Sequence, residues 1–419
     1  MKKVLFPRVR FKEFSEEWNT KTLGDICSSF GGTSLERFFN SYGNYKVISI
    51  GNFGISGVYE DQKLRINLND ITQKYLLDKD DLAMILNDKT QECNILGKCI
   101  YIDKNNEYIY NQRTQRLKVN KNLVFSKYLF YLINFSKFRE KVKVEAQGNT
   151  QVYLNFRNVA NFTVDFPLLS EQQKIGKLLD EISNLINLEN SKLNKLKQLK
   201  ETLLQKMFPE GNSKTPRIRF EGFEGEWKEE RLEEIGQTYT GLSGKTKKDF
   251  GHGNSRYITY LNIFNNPIAN LKGLDRIEED CKQNSVKYGD IFVTTSSEIP
   301  EEVGITSIWP FKDKENIYLN SFCFGIRLNN INNYYINFLA YNLRNNELRK
   351  DIVLLAQGIS RFNISNRRFM KLYILLPNIS EQQKIGDFFS KIDSLLSLYQ
   401  SKLNKLKQIK EALLQKMFV

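Results

Sequence analysis

The sequence predicts an α+β protein in which two globular mixed α/β domains are separated by two long helices. The helices are expected to pair as an antiparallel coiled coil under a pseudo-twofold internal repeat. Three observations predict this. Residues 170–208 and 380–418 align without a gap, 210 residues apart, and 26 of the 39 positions are identical. Pro7–Phe14 (PRVRFKEF) is echoed by Pro216–Phe223 (PRIRFEGF), each followed by a tryptophan, Trp18 and Trp227. Between these frame segments the two halves diverge almost completely, as expected of one scaffold presenting two different surfaces.

In chain order this gives a first domain at 1–168, a central helix at 169–209, a second domain at 210–377 and a C-terminal helix at 378–419. Within the inserts, 19–168 and 228–377, short β-rich runs at Tyr45–Ile50, Cys99–Ile102, Ile291–Thr295 and Phe322–Leu328 alternate with Gly, Asn and Asp turns. Lys127–Val144 and Tyr334–Leu355 have the length and spacing of single helices. The strand order is not readable from the pattern. Ser170-Glu-Gln-Gln173 and Ser380-Glu-Gln-Gln383 fit capping boxes, and Pro167 and Pro377 close the segments before them. Apolar residues then recur at steps of three and four. They place Ile175, Leu178, Ile182, Leu185, Leu196 and Leu203 on one stripe, and Ile385, Phe388, Ile392, Leu395, Leu406 and Leu413 on its twin. The register loosens near Asn187–Lys192, which predicts a kink or stutter there. Each helix would be about 58 Å long, and so long a stripe needs a partner, the obvious one being the other copy. Pro209–Pro216 reads as a linker.

The 419 residues allow two to four domains, and 41% apolar with 12% aromatic content argues against disorder. The formal charge of +14 suggests a polyanionic partner, nucleic acid first and a membrane surface second. Five irregularly spaced cysteines with no CxxC pair support neither a zinc knuckle nor a disulfide framework, and they suit buried thiols in a reducing compartment. Pro7, Arg8 and Arg10 interrupt any signal-like apolar core, and the longest apolar run, Tyr128–Ile133, is far short of the roughly 20 residues a membrane span needs. A cytoplasmic protein with no membrane partner is expected.

Catalytic chemistry is hard to find. The single histidine, His252, sits in a Gly-rich turn, which excludes HExxH and two-histidine metal sites. Gly241-Leu-Ser-Gly-Lys-Thr246 has its glycines too close to wrap a phosphate. There is no strand–GxGxxG–helix unit, and Asn265-Asn-Pro-Ile268 is not the Asn/Asp-Pro-Pro-aromatic grip of amino-methyltransferases. No reaction centre, metal or cofactor is expected.

Binding chemistry is easier to find. Ala146–Val159 and Ala356–Phe369 align at the same offset of 210 and share Ala-Gln-Gly and an arginine, Arg157 against Arg367. Around these anchors the first copy carries Asn149, Thr150, Gln151, Tyr153 and Asn155, and the second Ser360, Arg361, Asn363, Ser365 and Arg368. Gln and Asn can read adenine, Arg can read guanine, and hydroxyls can hold phosphate. Gln147 and Gln357, the same in both copies, fit either base readout or a shared framework turn. Weaker candidates are Lys89, Arg113, Arg116, Lys245, Lys247, Lys248, Thr294 and Ser296, which fit ordinary solvated loops as well. The lysine-rich helix faces suit either unspecific attraction to DNA or a solvated coiled-coil face.

The order of variable region, repeated helix, variable region, repeated helix resembles the specificity subunit of a type I restriction-modification system over essentially the whole chain. The resemblance is carried by the Pro-x-x-Ser-Glu-Gln-Gln-Lys-Ile-Gly helix starts at Pro167 and Pro377 and the PR[VI]RF openings at Pro7 and Pro216. It implies that each insert is a target-recognition domain reading one half of a split, asymmetric site in double-stranded DNA. It implies that the helices set the spacer and dock two modification subunits, which methylate adenine. Restriction subunits, which hydrolyse ATP, translocate and cut, would join them, and this chain would be non-catalytic. The alternative is a coiled-coil scaffold whose inserts bind protein.

Overall fold

The computed structural model describes residues 6–55, 57–149, 151–312 and 316–418. The chain divides into two compact units, one comprising Met1–Asn190 with Ser401–Val419 and the other Ser191–Gln400. Each unit therefore takes the start of one long helix and the end of the other.

The two units share one strand order. In the first, a four-stranded antiparallel sheet runs Cys27–Gly31, Thr114–Val119, Leu82–Ile85, Cys99–Tyr101. The second repeats it as Gly236–Thr240, Cys323–Leu328, Ile291–Thr294, Thr306–Ile308. A mixed three-stranded sheet follows in each: Tyr45–Ile48 lies antiparallel to Arg65–Ile66 and parallel to Tyr108–Tyr110. Phe250–Ile258 pairs likewise with Leu274–Ile277 and Ile317–Leu319. A two-stranded ribbon leads into each long helix, Asn19–Thr22 with Thr163–Phe166 and Lys228–Arg231 with Tyr373–Leu376.

Two expected single helices are each two. Ser126–Asn134 and Ser136–Val144 are separated at Phe135, whose backbone is extended. The break is set by Asn134, whose side chain accepts from Cys99 N and donates to Cys99 O, both at 3.0 Å, and so ties the helix end to a strand edge. Ile336–Asn342 and Asn346–Leu354 part where Asn342 donates to Leu375 O (3.0 Å) and Asn345 caps Leu348 N (2.9 Å). Asparagine side chains that compete with the helix ladder win at both joints.

The long helices span Leu169–Lys206 and Ile379–Met417. Their starts differ from the expected capping boxes, because Ser170 and Ser380 already lie inside the first turn. Leu168 O accepts from Glu171 N and Gln172 N at 3.0 and 3.1 Å, and Asn378 supplies both its carbonyl and its side chain to Glu381 N. This frees the Glu-Gln pair to turn inward. Gln172 accepts from Phe125 N (2.9 Å) and donates to Leu123 O and Pro167 O, while Gln382 accepts from Tyr335 N (3.0 Å) and donates to Pro377 O. The glycine of the motif allows this close approach, since a β-carbon at Gly386 would meet Phe338 N at 2.6 Å.

Glu171 and Glu381 are fully buried, and each is held by an arginine of the PR[VI]RF segment. Arg10 donates to both Glu171 oxygens at 2.8 and 2.7 Å, and Arg219 to both Glu381 oxygens at 2.7 and 2.8 Å. The hydrogen bonds to the carboxylates, working against burial, push both guanidiniums above their ordinary value. The neighbouring amides bond the last carbonyls of the other long helix: Val9 N to Lys416 O and Ile218 N to Lys206 O, both at 2.9 Å. In each unit the segment is thus a clasp between the start of one helix and the end of the other. Phe418 packs on Tyr128 and Phe135 in the first core, and Phe208 on Trp227, Phe338 and Phe389 in the second.

Within each unit the helix segments run antiparallel. In the first, Glu189 faces Lys402 (2.9 Å) and Asp180 lies near Lys410; in the second, Lys200 pairs with Asp393 and Phe208 stacks near Phe389. Among the buried and half-buried positions of the first helix, one seam runs through 175, 179, 182, 186, 189, 193, 196, 200 and 203 in alternating four-three steps and continues to Met207 just past its end. Further covered positions such as 176, 178, 180, 183 and 204 lie beside it. The expected loosening near Asn187–Lys192 is only a polar residue, Glu189, occupying a seam position. Of the residues expected on the stripe, Ile175, Ile182, Ile385 and Ile392 are buried, and Leu178, Leu196, Leu203, Phe388, Leu406 and Leu413 are half-buried. Leu185 and Leu395 are 46% and 45% exposed, because they stand one position off the seam, which runs through Ile186 and Leu396 instead.

Breaking a buried pair strands the remaining charge. Arg219→Met is therefore expected to lower the stability of the second unit by about 3–5 kcal/mol, and Arg219→Met with Glu381→Met to recover most of it. Urea unfolding followed by Trp227 fluorescence checks both; equal losses in the two variants would show that the ion pair is not what holds the clasp.

Candidate nucleic-acid interface

In each unit three loops converge at one end of the four-stranded sheet. In the first unit, Leu86 N donates to Arg113 O (2.8 Å) and Leu154 N to Leu86 O (2.8 Å), which joins the loop after one central strand, the turn before the next and the segment Gln147–Leu154. Val152–Tyr153 pairs with Asn87–Asp88. Gln147 and Tyr153 exchange backbone bonds at 3.0 and 2.9 Å and close a small hairpin, and Gln91 donates to Asn149 O at its tip. The second unit repeats the construction. Thr295 N donates to Phe322 O (2.9 Å), Ile364 N to Thr295 O (3.0 Å), and Gln357 closes a hairpin on Asn363 at 2.9 and 2.8 Å. The glycine after each glutamine is required: Gly148 and Gly358 have φ of +99° and +138°, and a β-carbon there would meet the carbonyls of Gln151 and Arg361 at 2.3 and 2.1 Å.

The structure brings Lys89, Arg113, Asn149, Gln151 and Tyr153 together as exposed side chains of the first cluster. Arg157 is exposed on the short helix that follows, Phe156–Ala160, whose start Asn155 caps. Thr150 lies outside the described residues. In the second cluster Ser360, Arg361 and Asn363 are exposed on the hairpin, and Arg367 and Arg368 on the helix Asn366–Phe369.

Four weaker candidates are not free to meet a ligand. Arg116 is spent on Asp78 and Asp81 at 2.7 and 2.6 Å and on Leu76 O. Thr294 is fully buried and accepts from Ile305 N (2.9 Å), and Ser296 is 7% exposed on a strand paired with Asn363. Lys245 is tied to Asp280 at 2.9 Å. Their sequence context resembles a loop, but strand burial and acidic neighbours brought in by the fold claim them. Lys247 and Lys248 are exposed on a separate turn after the strand Gly236–Thr240.

Two further arginines act on these loops. Arg139 donates to Leu96 O and to Cys93 O (2.6 Å), and Arg349 to Gly304 O, Val303 O and Glu301 O at 2.9, 2.8 and 2.7 Å. Burial holds both guanidiniums below their ordinary value. Each stitches the loop that runs from the hairpin-paired strand back to the sheet. On a helix such an arginine reads as a solvated charge; the available signal is that 139 and 349 are again 210 apart.

One scaffold is built twice, and each copy ends in a loop cluster of unlike side chains. The family model described as the type I restriction modification DNA specificity domain matches twice, over residues 15–198 and 224–408. This chain belongs to that family, whose members are the DNA sequence-recognition subunits of type I restriction-modification systems. The MjaVIII specificity subunit of a type I restriction enzyme from Methanocaldococcus jannaschii is 22% identical, across 95% of this chain and 91% of its own. The proposed MjaX specificity subunit of the same organism is also 22% identical, across 98% and 94%. The S subunit of the type I system of M. genitalium shares the fold, with a TM-score of 0.65, 17% identity and 99% of both chains covered.

Removing Arg139 unpairs two buried carbonyls, and removing Arg349 unpairs two part-buried ones and the exposed Glu301 O, a cost of about 1–3 kcal/mol for a buried group left unpaired. Arg349→Ala is expected to raise amide hydrogen exchange in 301–305 while leaving 93–97 unchanged, and Arg139→Ala the reverse. Uniform changes in both loops would contradict a local stitching role.

Proposed function

We propose that each unit's loop cluster reads one half of a bipartite, asymmetric site in double-stranded DNA, on behalf of modification and restriction subunits carried on other chains. The observation that carries this is the pairing of frames of one strand order with unlike clusters: Asn149, Gln151 and Tyr153 in one, Ser360, Arg361 and Asn363 in the other. Amide side chains suit adenine and the arginine fork suits guanine, so unlike clusters select unlike half-sites. Net charge of +14 supports attraction to phosphate. The recognition domains are 1–168 and 210–377, and the chain itself performs no chemistry. Among the described residues no helix is long and apolar enough to cross a membrane.

The helices 169–209 and 378–419 set the unread spacer. Half-sites on one face of B-DNA repeat about every 34–36 Å, the scale that a helical spacer has to match. The same helices dock two modification subunits. In support, each unit carries the same three exposed apolar positions: Leu185, Leu188 and Ile409 in the first, Leu395, Leu398 and Leu199 in the second, 45–64% exposed. Two equivalent patches fit two copies of one partner.

Mapping methylated adenines in a host carrying this chain and its partner subunits tests the reading. Exchanging residues 19–168 for those of a relative is expected to change one half-site and leave the other. A change in both, or in neither, would overturn it. DNA affinity of the assembled complex is expected to fall linearly on a log–log plot against salt, with a slope that becomes shallower by about 0.9 for each phosphate-contacting lysine or arginine removed.

A further inference from the structure

The second loop cluster differs from the first at each equivalent tip position. Phe322 stands where the first unit has Arg113, both carbonyls accepting the same structural amide bond. Ile359 replaces Asn149, Arg361 replaces Gln151, and Glu298 replaces Lys89. Arg361 lies over the Phe322 ring, its guanidinium carbon 5.6 Å from the centroid, and Phe322 is itself 51% exposed. Ile359 is 99% exposed, held outward between Gly358 and Ser360 on a hairpin whose neck is closed by two backbone bonds. A single exposed apolar side chain is ordinary. A fully exposed isoleucine two residues from an arginine stacked on an exposed phenylalanine is a patterned surface.

Each part has a recognisable base partner. An arginine stacked on an aromatic face gives up rotamer freedom before binding, and its planar fork matches O6 and N7 of guanine. Adenine presents a donor where guanine presents O6, so the fork discriminates between the purines. Exposed aliphatic carbon suits the C5-methyl of thymine, the one apolar group in the major groove. Two residues of extended chain span at most about 7 Å, and stacked base pairs rise about 3.4 Å. The two backbone positions therefore lie within about two base-pair steps of each other, and the two contacts are assigned to the same span. Glu298 beside them disfavours an additional phosphate contact at the place where Lys89 of the first unit would make one.

Resting on the proposed DNA-reading function, we propose that the second unit reads a half-site in which Arg361, braced by Phe322, contacts a guanine, and Ile359 contacts the methyl of a thymine within two base-pair steps of it. The first unit, with Asn149 and Gln151, reads no such pair through these positions.

The test uses the full chain assembled with its modification subunits and synthetic duplexes carrying the mapped site. Replacing the thymine by uracil removes only the methyl, and replacing guanine by 7-deazaguanine removes only N7. Uracil at the assigned position is expected to weaken wild-type binding several-fold and to leave Ile359→Ala unaffected, because that variant has already lost the contact. Arg361→Ala is expected to cost about 5- to 150-fold and to become indifferent to 7-deazaguanine. Phe322→Ala is expected to show a partial loss at the same guanine. Reading of the first unit's half-site by each variant reports that the protein is folded. A second half-site lacking a G with a T within two steps, or variants that keep full sensitivity to both base analogues, would overturn the assignment. Absence of sequence-specific binding by the wild-type complex would instead overturn the DNA-reading function itself.

Discussion

The buried bidentate pairs Arg10–Glu171 and Arg219–Glu381 are the constraint on which the rest depends. A carboxylate with no exposure is tolerable only if paired and hydrogen-bonded, and here the arginine supplies both at 2.7–2.8 Å. The glutamate sits in the first turn of its helix, where the helix dipole favours negative charge. Because the arginine's neighbour also caps the far end of the other helix, one short segment fixes two helix termini at once. The adjacent glutamine then anchors the helix start to the globular part through Phe125 or Tyr335.

This frame explains how the loop clusters tolerate divergence. The hairpin necks, the sheet ends and the arginine stitches are all made by backbone groups or by residues common to both copies. The tip side chains contribute little to holding the fold, so they can vary without moving the backbone that presents them. Thr294, by contrast, is buried at a strand end with its hydroxyl taken up by Ile305 N, so it does not belong to the exposed tips.

The helical seam combines apolar layers with a few charges. Glu189 is 2% exposed and faces Lys402, while Lys200 and Lys410 lie over the rings of Tyr341 and Tyr131, 5.4 Å from each centroid. A charge in an apolar seam costs stability and specifies register, since any slip would leave it unpaired. Such a seam suits helices that must keep one alignment.

The sequence by itself determined the repeat, the two long helices, the paired segments Ala146–Val159 and Ala356–Phe369, and, through its motif order, the family. Periodicity and self-similarity are one-dimensional properties and survive in the chain as written. The tertiary structure decided what those letters do. It turned the Ser-Glu-Gln-Gln box from a cap into a socket for an arginine some 160 residues away, moved the seam from Leu185 to Ile186, and split two helices at asparagines bonded to distant strands. It also committed Arg116, Thr294, Ser296 and Lys245 to ion pairs or burial and set Arg361 on Phe322. Each of these depends on a partner far along the chain, and burial and pairing between distant residues leave no local pattern in a single sequence.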